Sequence, residues 1–247
     1  MQRLNDPELR IIDEFFWFWP KEIGKSDQDS AIQALHRGDA TAAHELWTNE
    51  AADPKSGAVA IHNLAVLYHL VALDWTLEDL KSTVDPEREA KIEQYWRKAF
   101  EYWEQVASHD DIWDALKSRV QAIDDARLTT GFVRRMRASL PEAFDKINAE
   151  AALQFAEGGR MDWARKHVIF MNETHQGLDD VEKTALLVLT PTRKRVKQLI
   201  ESAKEEVNRD PTHGLAAADK LVSSCRPLLE LFDLFHGKES HHKTELF

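Results

Sequence analysis

The chain has 247 residues, with 32 Lys and Arg against 43 Asp and Glu, a net charge of −11, 43% apolar residues and one cysteine. These values describe a folded globular protein of one large or two modest domains, and they exclude the disordered, collagen-like and disulfide-rich classes. Cys225 has no second cysteine to pair with, and no basic stretch followed by an apolar run and a cleavage site opens the chain, so the cytoplasm is the expected compartment.

A long stretch without Asp, Glu, Lys or Arg, Gly57 to Leu73, has 17 residues and holds His62, Asn63 and His69. A lipid-facing span would have to hide those groups, so it reads as a buried helix and no membrane partner is expected. The acidic balance opposes approach to a phosphate backbone, which makes nucleic acid an unexpected partner.

Glycine and proline are few and the apolar residues recur at a helical period, so an all-α fold is expected. The first helix is signalled by Asp6 as N-cap, Pro7 at the first position and Glu8 in the first turn. It is expected to run through Phe18 and stop before Pro20. Ser30 to Arg37 and Ala40 to Ala52 follow as a hairpin broken at Gly38-Asp39 and ended by Asp53-Pro54. Next come Gly57 to Leu73, a charged interruption from Glu78 to Glu93, and helices at about Arg88 to Ala107 and Ile112 to Ile123. A turn at Leu128 to Gly131 leads to a basic helix, Phe132 to Leu140, closed by Pro141. Glu142 to Glu157 and Met161 to Asn172 form a second hairpin around Gly158-Gly159. Helices at about Pro191 to Asn208 and His213 to Phe235 finish the chain, the last with a kink expected at Pro227. The tail from Gly237, with His241 and His242, reads as a flexible end.

An internal repeat is visible. Ala31, Ala34, Ala43 and Trp47 match Ala152, Phe155, Ala164 and Val168 at identical spacings of 3, 9 and 4, with the glycine turn between them in both copies. Small residues on either side of a turn allow two helix axes to approach closely, with bulky residues flanking. Asn63-Leu64-Ala65-Val66-Leu67-Tyr68 has the same register, with Ala65 34 residues after Ala31. Together these segments resemble tetratricopeptide repeats, well over residues 26 to 75 and less fully over 145 to 172. Ala99 and Trp103 carry the middle repeat's small-then-large pair late, which indicates an insertion at about 76–93. A generic helix bundle with coincidental alanines is the alternative.

The resemblance implies a superhelical array of helix hairpins over 26–175; the C-terminal helical pair over 176–236 and the tail over 237–247 are read from the residues themselves. The resemblance also implies a ligand groove lined by the first helix of each hairpin. In this register those residues are Gln28 and Ile32, then His62, Asn63, Val66 and His69, then Lys146, Glu150 and Leu153. Family members that bind chaperones hold a C-terminal carboxylate with Lys, Asn and Arg at such places. Here only Asn63 and Lys146 match, and Gln28, Ile32 and Glu150 depart from the set. A second resemblance covers ten residues: Leu4-Asn5-Asp6-Pro7-Glu8-Leu9-Arg10 is similar to the last helix of J domains. The His-Pro-Asp triplet through which that family stimulates its ATPase partner is missing. Either residues 1–25 are the end or docking element of a J-like module in a longer bacterial protein, or Asp-Pro-Glu is only a good helix start.

Phe15-Phe16-Trp17-Phe18-Trp19 would cover every face of a helix. Either the following hairpin wraps over them, or part of the run docks a module or another chain. Arg127, Arg134, Arg135 and Arg137 lie in an acid-free stretch beside a helix start, an arrangement suited to phosphate or carboxylate. The alternative, which the surplus of acids favours, is that they pair with Asp124, Asp125 and Glu142 and pin neighbouring helices. A second basic run, Arg193-Lys194-Arg195 with Lys197, falls in the first turn of its expected helix, against the macrodipole.

No nucleotide loop, nucleophile elbow or paired metal motif occurs. His62 and His69 share a helical face without a nearby carboxylate or cysteine. His109-Asp110-Asp111 and Asp124-Asp125 read as polar links, and Cys225 as an inert buried thiol. No catalytic residue, metal or cofactor is therefore assigned. The expected function is a chaperone-associated scaffold or adaptor that holds a protein or peptide partner in a concave groove. The alternative is an anion- or nucleic-acid-binding helical module using the arginines, and a metal-dependent enzyme comes third.

Overall fold

The computed structural model describes residues 6–53, 57–79, 85–173 and 178–235. Among the described residues there are ten α-helices and no strand, in keeping with the all-α expectation. They are α1 (Pro7–Phe15), α2 (Ser30–His36), α3 (Ala40–Ala51), α4 (Ala58–Asp79), α5 (Pro86–Ser108), α6 (Asp110–Ile123), α7 (Thr130–Glu157), α8 (Met161–Glu173), α9 (Leu178–Arg209) and α10 (Gly214–Phe232). The expected tail, with its two histidines, and part of the expected insertion lie outside the described residues.

Helix starts follow local chemistry. Asp6, Asp29, Asp39 and Asp85 each turn a carboxylate onto backbone N–H groups of the first turn, donors that have no partner within the helix. Prolines are handled differently from expectation. Pro141 and Pro191 lie inside α7 and α9 rather than at helix boundaries. Each removes one N–H, so the carbonyl four residues back loses its helical donor while the helix continues on either side.

The chain gathers into two units, residues 1–140 and 141–247, divided within α7 at Pro141. The 26–175 array expected from sequence is thus shared between them. In the first unit α2 packs on α3, α3 on α4, and α4 on both α5 and α6. Ala31, Ala34, Ala43 and Ala60 fill the contacts where these helices come close, beside the fully buried Trp47. In the second unit α8, α9 and α10 pack together, and Phe155 of α7 stacks on Trp163 of α8 at 5.7 Å.

The internal repeat has a shared physical form in the two hairpins. Gly38 N–H reaches the Leu35 carbonyl at 2.8 Å, and Asp39 N–H reaches that of Ala34 at 2.9 Å. Gly159 N–H and Arg160 N–H make the same pair to Ala156 and Phe155, at 3.0 and 2.8 Å. Both glycines take a left-handed φ, +78° and +75°, which closes the helix end. A Cβ at either position meets nothing within 4 Å, so substitution strains only the backbone. Gly38→Ala and Gly159→Ala are therefore each expected to lower stability by about 1 kcal/mol. Urea unfolding of the full chain measures this, and no loss at either site contradicts the shared turn geometry.

Candidate functional site

The aromatic run leaves the helix early. α1 ends at Phe15, not Phe18, because Pro20 disfavours helical geometry at Trp19 and because side chains of α4 take the backbone groups of the segment. Asn63 holds Trp19 by both backbone groups: its Oδ1 accepts from Trp19 N–H and its Nδ2 donates to Trp19 C=O, both at 2.8 Å. His62 Nε2 lies 2.7 Å from the Phe15 carbonyl, which assigns the proton of the neutral ring to that nitrogen. The His62 ring stacks on Trp19 at 3.8 Å. Arg119 closes the far side, with its guanidinium 4.7 Å from the Trp19 ring and Nη2 donating to the Pro20 carbonyl at 2.6 Å.

This corrects the expected groove. His62, Asn63, Val66 and His69 are all buried, and the face that would have received a ligand is covered by the chain's own residues 15–20 and by α5. His62, His69 and Thr76 fall at a seven-residue spacing along α4 opposite Trp96 and Trp103 of α5. His69 Nδ1 accepts from the Trp103 indole at 3.3 Å, and Thr76 Oγ1 accepts from the Trp96 indole at 3.1 Å. The polar atoms on this face thus satisfy buried indole N–H groups. Burial lowers the pKa of both histidines to about 4; at His62 the Phe15 carbonyl and Asn63 oxygen act in the opposite direction.

The remaining expected residues disperse. Gln28 is exposed in a 3₁₀ turn, and Ile32 belongs to the α2–α3 core. Lys146, Glu150 and Leu153 stand in the second unit: Lys146 pairs with Glu142 at 2.8 Å, Glu150 accepts from Gln154, and Leu153 is buried. Within the aromatic run Phe15 and Trp19 are buried, Phe16 and Phe18 half-buried, and only Trp17 is exposed, at 65%.

The arginines do not converge. Arg127 pairs with Asp125, holding that carboxyl at about 2, while Arg135 pairs with Glu8 of α1. Arg137 binds Asp110 and the carbonyls of Ala107 and Ser108 at the α5–α6 junction. Arg134 is exposed and is in no ion pair among the described residues. In the second basic run, Arg195 pairs with Glu157. Since α9 begins at Leu178, that run lies inside the helix rather than at its N-terminus. Among the described residues, no three His, Cys, Asp or Glu side chains gather as a metal ion would need. Cys225 is buried, and its thiol pKa is raised by that burial.

A different cluster stands open. On the outer edge of the α4–α5 seam, Tyr68 stacks on Tyr102 at 5.5 Å and lies 6.2 Å from Tyr95. Trp75 meets Tyr95 edge-on at 5.2 Å, and Arg88 lies over Trp75 at 4.8 Å. His44 of α3 bonds the Tyr68 hydroxyl at 2.8 Å. All these rings are half-buried, and Tyr68 and Tyr102 pack against the core of the first unit. The sequence signal was available: Tyr68 and Trp75, like Arg88, Tyr95 and Tyr102, recur every seven residues and so line one edge of an antiparallel helix pair. Comparison with known protein families, curated proteins and solved structures finds no match to this chain.

Proposed function

We propose that the protein is a helical interaction scaffold, built of hairpins that resemble tetratricopeptide repeats, whose first unit presents the His44–Tyr68–Tyr102–Tyr95–Trp75 face to a protein or peptide partner. The observation that carries this reading is the half-buried aromatic row itself. Rigid rings with apolar faces and polar tips offer large contact area at little entropic cost, the property that enriches Tyr and Trp in protein interfaces. The salt bridges at Arg127, Arg135 and Arg137 count against the anion-binding alternative, because three of its four cations already have carboxylate partners. A chaperone connection rests only on the similarity of Leu4 to Arg10 to a J-domain helix.

The test is affinity capture followed by direct binding measurement, comparing the native chain with Trp75→Ala/Tyr95→Ala and with Arg134→Ala. A specific protein held in high salt by the native chain and by Arg134→Ala, and bound at least about tenfold more weakly by the aromatic variant, supports the scaffold. Circular dichroism establishes that the variants are folded. Retention of the partner by the aromatic variant overturns this face. Capture of nucleic acid alone, lost in salt, favours the alternative.

A further inference from the structure

The second unit carries an exposed apolar stripe on α10. Leu215 and Val222 are 78% and 59% exposed, the two largest exposures among the described large hydrophobic residues of that unit. With half-buried Leu229 they recur every seven residues, so they line one edge of the helix. Asp219 and Arg226, also seven apart, flank the stripe on one side. Both are exposed, and neither is in an ion pair among the described residues. An apolar concavity of about 490 Å³ between α9 and α10, walled by Ile200, Ala203, Val207 and Leu221, continues the stripe on its other side.

The pattern is self-complementary. When two copies of α10 lie antiparallel about a two-fold axis beside Val222, Leu215 of one copy meets Leu229 of the other, and Val222 meets its own counterpart. Asp219 then stands opposite Arg226 twice over, once on each side of the axis. A parallel alignment in register would instead leave the two charged flanks on opposite sides of the seam, with Asp219 and Arg226 unpaired across it. Isologous contacts of this kind close a dimer and leave no free end for further growth.

We infer that α10 is a homodimerisation surface whose occupant is the α10 of a second copy of this chain, aligned antiparallel by Asp219–Arg226 pairing. This surface is separate from the aromatic face of the first unit and stands or falls independently of it.

Charge exchange in the full-length protein tests it by sedimentation equilibrium. The native chain is expected to be dimeric. Asp219→Arg and Arg226→Asp, studied singly, each place like charges together at both pairs and are expected to weaken dimerisation by about tenfold or more. An equimolar mixture of the two restores opposite charges at both pairs and is expected to form heterodimers, as the double variant forms homodimers. The substitutions are at exposed positions, and circular dichroism reports that the fold persists. A native chain that stays monomeric at about 100 μM, well above the range of a stable complex, overturns the inference. So does a dimer indifferent to the single reversals, or a mixture that fails to associate.

Discussion

Lowering the pH from 7 to 4 is expected to strip most of the stability from the first unit, chiefly through two buried histidines. His62 and His69 are buried as neutral rings with pKa lowered from 6.5 to about 4, mainly by desolvation. In the unfolded chain they take up protons near the ordinary value, so the unfolded state binds more protons at pH values between about 4 and 6.5. Stability is full above that window, falls as pH falls through it, and levels off below. Each histidine accounts for about 3 kcal/mol across the window, an appreciable fraction of a small domain's total. Asp125, held at about 2 by Arg127, loses its contribution only at lower pH and does not confuse the reading. Urea unfolding followed by tryptophan fluorescence measures the slope, since seven of the eight tryptophans belong to residues 1–140. His69→Gln is expected to flatten it. A stability unchanged between pH 7 and 4 contradicts the burial of neutral imidazoles.

Phe15→Ala is the second large effect, expected to cost about 3–5 kcal/mol. The ring is fully buried and stacks on Trp113 at 5.4 Å, with Trp19, His62 and Trp103 also within 6 Å. Its removal opens a void among rings that cannot all move in. Trp17→Ala, two positions along, is expected to stay within about 0.5 kcal/mol because that side chain lies mostly in solvent. Equilibrium unfolding of the two variants separates a buried anchor from an exposed neighbour. Equal losses at both positions contradict the path of residues 15–19.

Much of the secondary structure was legible because its causes are local. The α2–α3 hairpin was readable to within a residue or two, since Asp29 and Asp39 cap and Gly38 closes within a few positions of where they stand. The run to Phe18 stops short because Pro20 and the side chains of α4 act together on residues 15–19, whereas Pro141 and Pro191, which locally favour a break, lie inside continuous helices. The site was less legible still. A seven-residue spacing says that His62 and His69 share a face of α4, but not whether that face looks onto water or onto Trp103. The answer lay in residues 15–20 and 96–119, far away in sequence. The tyrosine row has the same spacing signature on a neighbouring edge, and only the packing of α5 distinguishes the covered edge from the open one.

The hold of α4 and α6 on residues 15–20 also has a consequence during synthesis. Phe15 to Trp19 leave the ribosome ahead of their partners: Asn63 follows Trp19 by 44 residues, and Arg119 follows Pro20 by 99. At about 5–20 residues per second, five consecutive aromatic side chains wait roughly 5–20 s before their last partner emerges. This adhesive stretch is thus made well before it is covered. During that interval the stretch is exposed to association with other chains, a hazard that the stability of the finished fold does not remove.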